Sequence, residues 1–280
     1  MASNTVVQTN VLALNSHRNL GLIGIQKEKS SARLSSGYRI NSAADDAAGL
    51  AISEKMRAQI RGLDQASRNA QDGISMLQTT EGGLQEINNM IVRIRDLVIQ
   101  AANDTNTTED REKIQLEISQ LSDEIQEMGD RVEFNKMKVL SMGGTKTFQI
   151  GANATQGIQF NFDKVDVTDT IASKLENFDI GGANDDFAKI TALISNVDAA
   201  LKAVTVARAE LGAVINRLEF TNRALNISSE NLSAAESRIR DTDMAKEMMQ
   251  LTKANILQQA GVSMLAQANA SPQSVLQLLQ

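Results

Sequence analysis

The chain has 280 residues, 28 of them Lys or Arg and 34 Asp or Glu, for a formal net charge of −6; it contains no Cys or Trp, one Pro, one His, one Tyr and seven Phe. Without Cys there is neither a disulfide framework nor a thiolate metal site, the lone His17 removes the His-x-x-x-His zinc motif, and the acidic balance argues against a dedicated nucleic-acid binder. So few aromatics and a single Pro point to long, thinly packed helices rather than a bulky globular core.

In chain order, the first ten residues lack the charged-then-apolar pattern of a secretory signal, so the protein is expected either to stay inside the cell or to leave by a route that needs no cleaved signal. No apolar run approaches the length of a membrane span. Residues 5–33 are helix-prone but poorly patterned, and His17 within them has no second metal ligand nearby. At Ser42 and Asp45 the spacing is that of a capping box, with Asp45 and Asp46 complementing a helix dipole. A helix over 45–101 follows. Met56, Leu63, Ala70, Leu77, Leu84, Ile91 and Val98 recur every seven residues, joined late by Ile87, Ile94 and Ala101. That alternation of three and four is a coiled-coil seam. Gly82 and Gly83 interrupt composition but not register; one continuous helix is expected, with close backbone approach or bending as their alternative uses.

A helix over 108–132 carries Ile114, Ile118, Leu121, Ile125, Met128 and Val132 on the same repeat. Residues 141–186 turn to Gly, Thr, Asn and Asp. Within them Thr147–Ile150 and Ile158–Phe162 alternate polar and apolar around a turn-rich link, which reads as a β-hairpin, and five of the aromatics lie between 148 and 187, suggesting a local core. Over 187–239 a third series runs through Ile190, Val197, Val204, Leu211, Leu218, Leu225, Leu232 and Ile239. In 243–280 the best alternation, Met244, Met248, Leu251, Asn255, Gln258, Val262 and Leu265, includes two amides. Both chain ends are therefore expected to order only against partners.

The expected fold is mainly α: an elongated antiparallel coiled-coil helical bundle built from both halves of the chain, with one small central β-hairpin. Three parts are expected, namely terminal helices at 1–44 and 240–280, a core bundle at 45–140 and 187–239, and a hairpin and loop region at 141–186.

The segment Leu34–Ile52, with Ser35-Ser36-Gly37-Tyr38-Arg39-Ile40-Asn41 and Asp45-Asp46-Ala47-Ala48-Gly49-Leu50, resembles the N-terminal signature of bacterial flagellins. Leu232–Asp241 and Ile256–Asn269 are similar to the C-terminal signature. The likeness covers roughly 1–140 and 187–280. It implies a structural subunit that polymerises into the flagellar filament for swimming, exported unfolded by the flagellar type III route and resident outside the cell. It also implies that the terminal helices form the inner filament tube and are disordered in the monomer. With only 141–186 between the halves, a minimal form without large variable outer domains is implied. Implied partners are further copies of the chain, hook-associated and cap proteins, an export chaperone on the C-terminal helix, and a Toll-like receptor of animal hosts. A hook–filament junction protein, which shares similar ends, is the alternative. No enzyme activity, cofactor, metal, nucleic acid or membrane insertion is implied.

In Arg93-Ile94-Arg95-Asp96-Leu97, Ile94 faces the seam, which leaves Arg93 and Leu97 on another stripe. The plain reading is a solvated face with an Arg93–Asp96 ion pair. By resemblance, Arg93, Leu97 and Glu117 match the positions by which flagellins engage the receptor, with Leu97 expected to be an exposed anchor; Val92 departs from the family's usual Gln.

Overall fold

The computed structural model describes residues 9–167, 171, 173, 180 and 187–278. Among them are five helices and two small antiparallel sheets. Helix α1, Val11–Ser36, opens on Asn10, whose side-chain oxygen accepts the Ala13 amide at 3.0 Å. It closes on Gly37 at φ 74°, where the left-handed conformation lets the Gly37 amide reach back to the Arg33 carbonyl. Helix α2, Ala47–Ala101, is 55 residues long, about 82 Å at 1.5 Å per residue. Asp46 accepts the Gly49 amide at its start, whereas Asp45 closes the preceding turn by accepting from the Asn41 and Ser42 amides. The N-cap of α2 is thus Asp46, four residues after Ser42, the cap that the Ser42–Asp45 spacing suggests.

Helix α3, Thr108–Arg131, begins with a reciprocal capping box between Thr107 and Asp110. Strands β1, Glu133–Phe134, and β2, Met137–Lys138, form a tight hairpin turning on Asn135 and Lys136, both at positive φ. Strands β3, Thr145–Gln149, and β4, Gly157–Asn161, pair with Thr145 opposite Asn161 and Gln149 opposite Gly157, where a hairpin is expected. Helix α4, Phe187–Arg240, runs for 54 residues, and α5, Met244–Leu278, starts on Asp243, whose carboxylate accepts the Ala245 and Lys246 amides. Most of 168–186 lies outside the described residues.

The chain divides into two compact units, one of Met1–Ala58 with Asn231–Gln280 and one of Gln59–Glu230. In the second, α2 and α4 run antiparallel. Arg95 meets Asp198, Glu81 meets Arg208, Ser67 meets Asn222 and Asp64 meets Ser229, so every step back along α2 is matched by a step forward along α4. The expected seams are where the core lies: Ala70, Leu77, Leu84, Ile91 and Val98 face in from α2, Ile114, Ile118 and Ile125 from α3, and Ile190, Val197, Val204, Leu211 and Leu218 from α4. The second α2 series starts earlier than its large residues reveal. Ala66, Gly73 and Thr80 are buried at the same heptad position as Ile87, Ile94 and Ala101.

Helix α2 is covered on more than one side. Met76, Gly83 and Leu97 are buried at a third heptad position. The glycines on this helix mark where neighbours come closest. A Cβ at Gly62 would lie 2.7 Å from the Ala152 methyl in the β3–β4 link, one at Gly73 would lie 2.9 Å from the Phe148 ring, and one at Gly83 would lie 2.8 Å from Leu140. Gly82 faces open space. The helix continues through the pair, so Gly83 serves close approach. The hairpin has no separate core: Ile158, Phe160 and Phe162 join the cluster formed by α2, α3 and α4, with the two rings edge to face at 4.8 Å. By length and composition α4 is apolar enough to cross a membrane, unlike the sequence expectation, but its Ile, Val and Leu series is committed to this seam.

In the first unit α1 and α5 run antiparallel. Asn10 donates to the Ala268 carbonyl at 2.7 Å, Lys27 to Gln258 at 3.0 Å, and Arg33 approaches Glu247 at 3.9 Å. Both helices carry a strict three-four seam. On α1 the covered residues are Ala13, Ser16, Leu20, Ile23, Lys27, Ser30 and Leu34; on α5 they are Glu247, Leu251, Ala254, Gln258, Gly261, Leu265 and Ala268. The α5 seam shares Leu251, Gln258 and Leu265 with the sequence expectation. The rest differs because small residues, not the large apolar ones, face α1. Met248 and Val262 are exposed, whereas Ala254 and Gly261 let the backbones approach.

Candidate interaction surfaces

Arg93 and Glu117 project from α2 and α3 into solvent, each about half exposed. They are joined: the Arg93 Nε and Nη2 groups both donate to one Glu117 carboxylate oxygen, at 2.9 and 2.7 Å. This replaces the Arg93–Asp96 pair that helix spacing alone suggests. Val92 beside it is 41% exposed. Leu97 is not on this surface. It is 2% exposed and packed with Ile94, Val98 and Ala101, because α2 is buried at three heptad positions rather than two. The exposed-anchor expectation for Leu97 is therefore corrected: the described patch consists of Val92, Arg93 and Glu117, and Leu97 belongs to the core.

The junction between α4 and α5 is tied to the segment after α1. Arg240, almost fully buried, donates to Glu54 at 2.5 Å and lies 4.8 Å above the Tyr38 ring. The Arg39 amide donates to the Arg240 carbonyl at 2.7 Å, and the Thr242 amide to the Gly37 carbonyl at 3.0 Å. All these residues belong to the first unit. The hydrogen bond from Arg240 holds the Glu54 carboxyl below its ordinary pKa. Amides of Ser42 and Asn41 do the same for Asp45, and Thr107 does so for Asp110.

A carboxylate whose folded pKa is depressed contributes stability that is present above its unfolded pKa and lost as pH falls through the folded one. Thermal stability should accordingly hold from pH 7 to about 5 and decline below about 4, the ordinary carboxylate range. Circular dichroism melts across pH check this, and Glu54→Gln and Asp110→Asn should each flatten the acid decline.

Among the described residues no group of three or more His, Cys, Asp or Glu could hold a metal ion, and His17 stands exposed on α1. What the surface does offer is apolar area on the terminal helices. Val11, Leu12, Leu14, Leu22 and Ile25 of α1 and Met244, Met248, Met249, Ile256, Leu257, Val262 and Met264 of α5 are all exposed. Met248, Met249, Thr252, Lys253, Ile256 and Leu257 line a shallow groove along α5. The α1–α5 contact takes up small and polar positions together with Leu20, Ile23, Leu34, Leu251 and Leu265, and leaves most of the large apolar residues of the two helices open.

Comparison with known proteins agrees at both ends. The family model described as the bacterial flagellin N-terminal helical region matches residues 7–145, and the C-terminal helical region matches 194–279. The chain is 50% identical over 275 residues to the flagellin of Halalkalibacterium halodurans, covering 98% of this chain and 99% of that one. It is 48% identical to the flagellin of Bacillus subtilis at the same coverage, and 45% identical to the flagellar filament 33 kDa core protein of Treponema phagedenis, again covering 98% and 99%. Among solved structures, Bacillus cereus flagellin aligns with a TM-score of 0.50 and 28% identity, over 60% of this chain and 94% of that one. A hook-associated protein from Vibrio parahaemolyticus aligns with a TM-score of 0.57 over 70% of this chain and 100% of that one; at 14% identity it shares the fold alone.

Proposed function

This chain belongs to the bacterial flagellin family, and we propose from that premise that it polymerises with copies of itself into a flagellar filament that drives swimming outside the cell. The observation that carries the proposal is the first unit. Its helices pair through a seam that mixes Ala, Gly, Ser, Lys, Glu and Gln with a few Leu and Ile, and leave twelve large apolar residues of α1 and α5 uncovered (Val11, Leu12, Leu14, Leu22, Ile25, Met244, Met248, Met249, Ile256, Leu257, Val262 and Met264). Exposed apolar area on this scale marks an association surface. Further copies would cover it, with 1–44 and 240–280 lining an inner tube and 45–140 with 187–239 outside it. It acts by assembly rather than by catalysis. Hook-associated and cap proteins would meet the ends of the same polymer, and an export chaperone would shield α5 before assembly. The filament reading is preferred over the junction reading because the full-length relatives named above are flagellins and a filament core protein.

The test is electron microscopy of salted-out protein, which should show long helical tubes. In dilute solution the same protein should be trimmed by protease to a core near 45–240, since a seam containing Lys27, Ser30 and Gln258 buries little apolar surface. Discrete particles, or full protection of both ends in a verified monomer, would overturn the reading.

The monomer is proposed also to engage the flagellin-sensing Toll-like receptor through Arg93 and Glu117. Their support is exposure and proximity: a guanidinium and a carboxylate already aligned across two helices offer a preorganised charged patch. Leu97 would act from the core, by holding α2 in place. Arg93→Ala should weaken signalling in receptor-bearing reporter cells about tenfold, equivalent to about 1.4 kcal/mol. Helical content should be unchanged, because Ile91 and Ile94 are untouched. Equal potency of variant and wild type would return the residues to a solvated ion pair.

A further inference from the structure

The chain has no Cys and 11 Met, so every sulfur it carries is a thioether. These are not spread evenly. Four of them, Met244, Met248, Met249 and Met264, lie within α5, and all four are exposed, from 49% at Met244 to 67% at Met249. Met76, in the core of the second unit, is 5% exposed. Met248 and Met249 line the α5 groove with Ile256 and Leu257, and Met264 stands about two turns beyond Leu257. None of the four belongs to the seam that joins α5 to α1.

We propose that Met244, Met248, Met249 and Met264 form an oxidation-sensitive site through which a peroxide blocks self-assembly of the free subunit. The inference rests on the filament reading above. The chemistry is oxygen transfer. A thioether lone pair attacks one oxygen of hydrogen peroxide, an S–O bond forms and the O–O bond breaks. The hydroxyl transferred to sulfur gives up its proton, the departing hydroxide takes up a proton and leaves as water, and so sulfur loses two electrons and peroxide gains them. The product, methionine sulfoxide, is polar and no longer fits an apolar contact without a hydrogen-bond donor. Since α1 meets α5 through Ala254, Gln258, Gly261 and Ala268, the sulfoxides leave that pairing intact. They change only the face still open to a further copy. The reaction is selective because rate follows exposure, and it is reversible because sulfoxide is reduced enzymatically. Once a subunit is assembled, the same four side chains are covered and spared.

The experiment treats full-length monomer with hydrogen peroxide, removes the oxidant, and induces polymerisation by salting out. Peptide mass spectrometry locates added oxygen, and sedimentation measures the critical concentration. Oxygen should appear on the four α5 residues before Met76, and the critical concentration should rise at least tenfold. Methionine sulfoxide reductases for both epimers, supplied with a dithiol that is oxidised to its disulfide as the sulfoxide oxygen leaves as water, should restore it. A variant carrying Met244→Leu, Met248→Leu, Met249→Leu and Met264→Leu should polymerise equally with and without peroxide. Full polymerisation of wild type bearing the four sulfoxides overturns the proposal, as does failure of the reductases to restore assembly. A variant that still loses assembly on peroxide treatment assigns the effect to other residues and overturns it too. If untreated wild type forms no polymer at all, the filament reading itself fails.

Discussion

Leu218→Asp should remove most or all of the stability of the second unit. Leu218 is fully buried in the middle of the α4 series, in the cluster shared with α2 and α3. Removing a buried leucine costs about 2–5 kcal/mol in lost packing. A carboxylate there has no cation to pair with on the seam and adds several kcal/mol more, or stays protonated. Against a typical domain stability of about 5–15 kcal/mol, the sum is decisive. The two outcomes differ in pH dependence. If the carboxyl is kept neutral, its folded pKa lies above the unfolded value, so the variant is least destabilised below about pH 4 and loses stability as pH rises. Leu218→Ala should be destabilised without that pH trend. Thermal melts followed by circular dichroism would decide. An unchanged melt for Leu218→Asp would mean that α2 and α4 do not pair in the register described.

The double substitution Ala254→Leu with Ala268→Leu should abolish assembly at ordinary concentrations while sparing the second unit. Both alanines are almost wholly covered by α1, and between them Gly261 leaves only 3.2 Å from an added Cβ to the Leu20 methyl. A leucine at either site overpacks the seam at about 1–3 kcal/mol. The positions are about 21 Å apart along the helix, so the costs should add. A total of about 2–6 kcal/mol raises the critical concentration by about thirtyfold or more. Ala254→Ser with Ala268→Ser should assemble, since serine already occupies the same seam at the half-buried Ser16 and the buried Ser30. Sedimentation would measure the effect, and an unaltered critical concentration for the leucine variant would show that the assembled subunit does not keep α1 against α5.

What the sequence determined by itself was every element coded by large apolar residues. The Leu, Ile and Val heptads of α2, α3 and α4 can be buried only by packing lengthwise on one another, and the alternation at Thr147–Ile150 and Ile158–Phe162 can be buried only as a hairpin. The terminal signatures likewise carried the family. Three things were decided by tertiary structure, and the first two share a physical reason: a small or polar side chain is buried when a neighbouring backbone comes close, and hydropathy does not record who the neighbour is. Ala66, Gly73 and Thr80 continue a seam that reads as starting at Ile87. Ala254, Gly261 and Ala268 make the α1–α5 contact while Met248 and Val262 face outward. Leu97 is buried while Arg93 and Glu117 stay in solvent, because α2 has neighbours on enough sides to bury a third heptad position, and the number of neighbours a helix has is a property of the fold rather than of its own repeat.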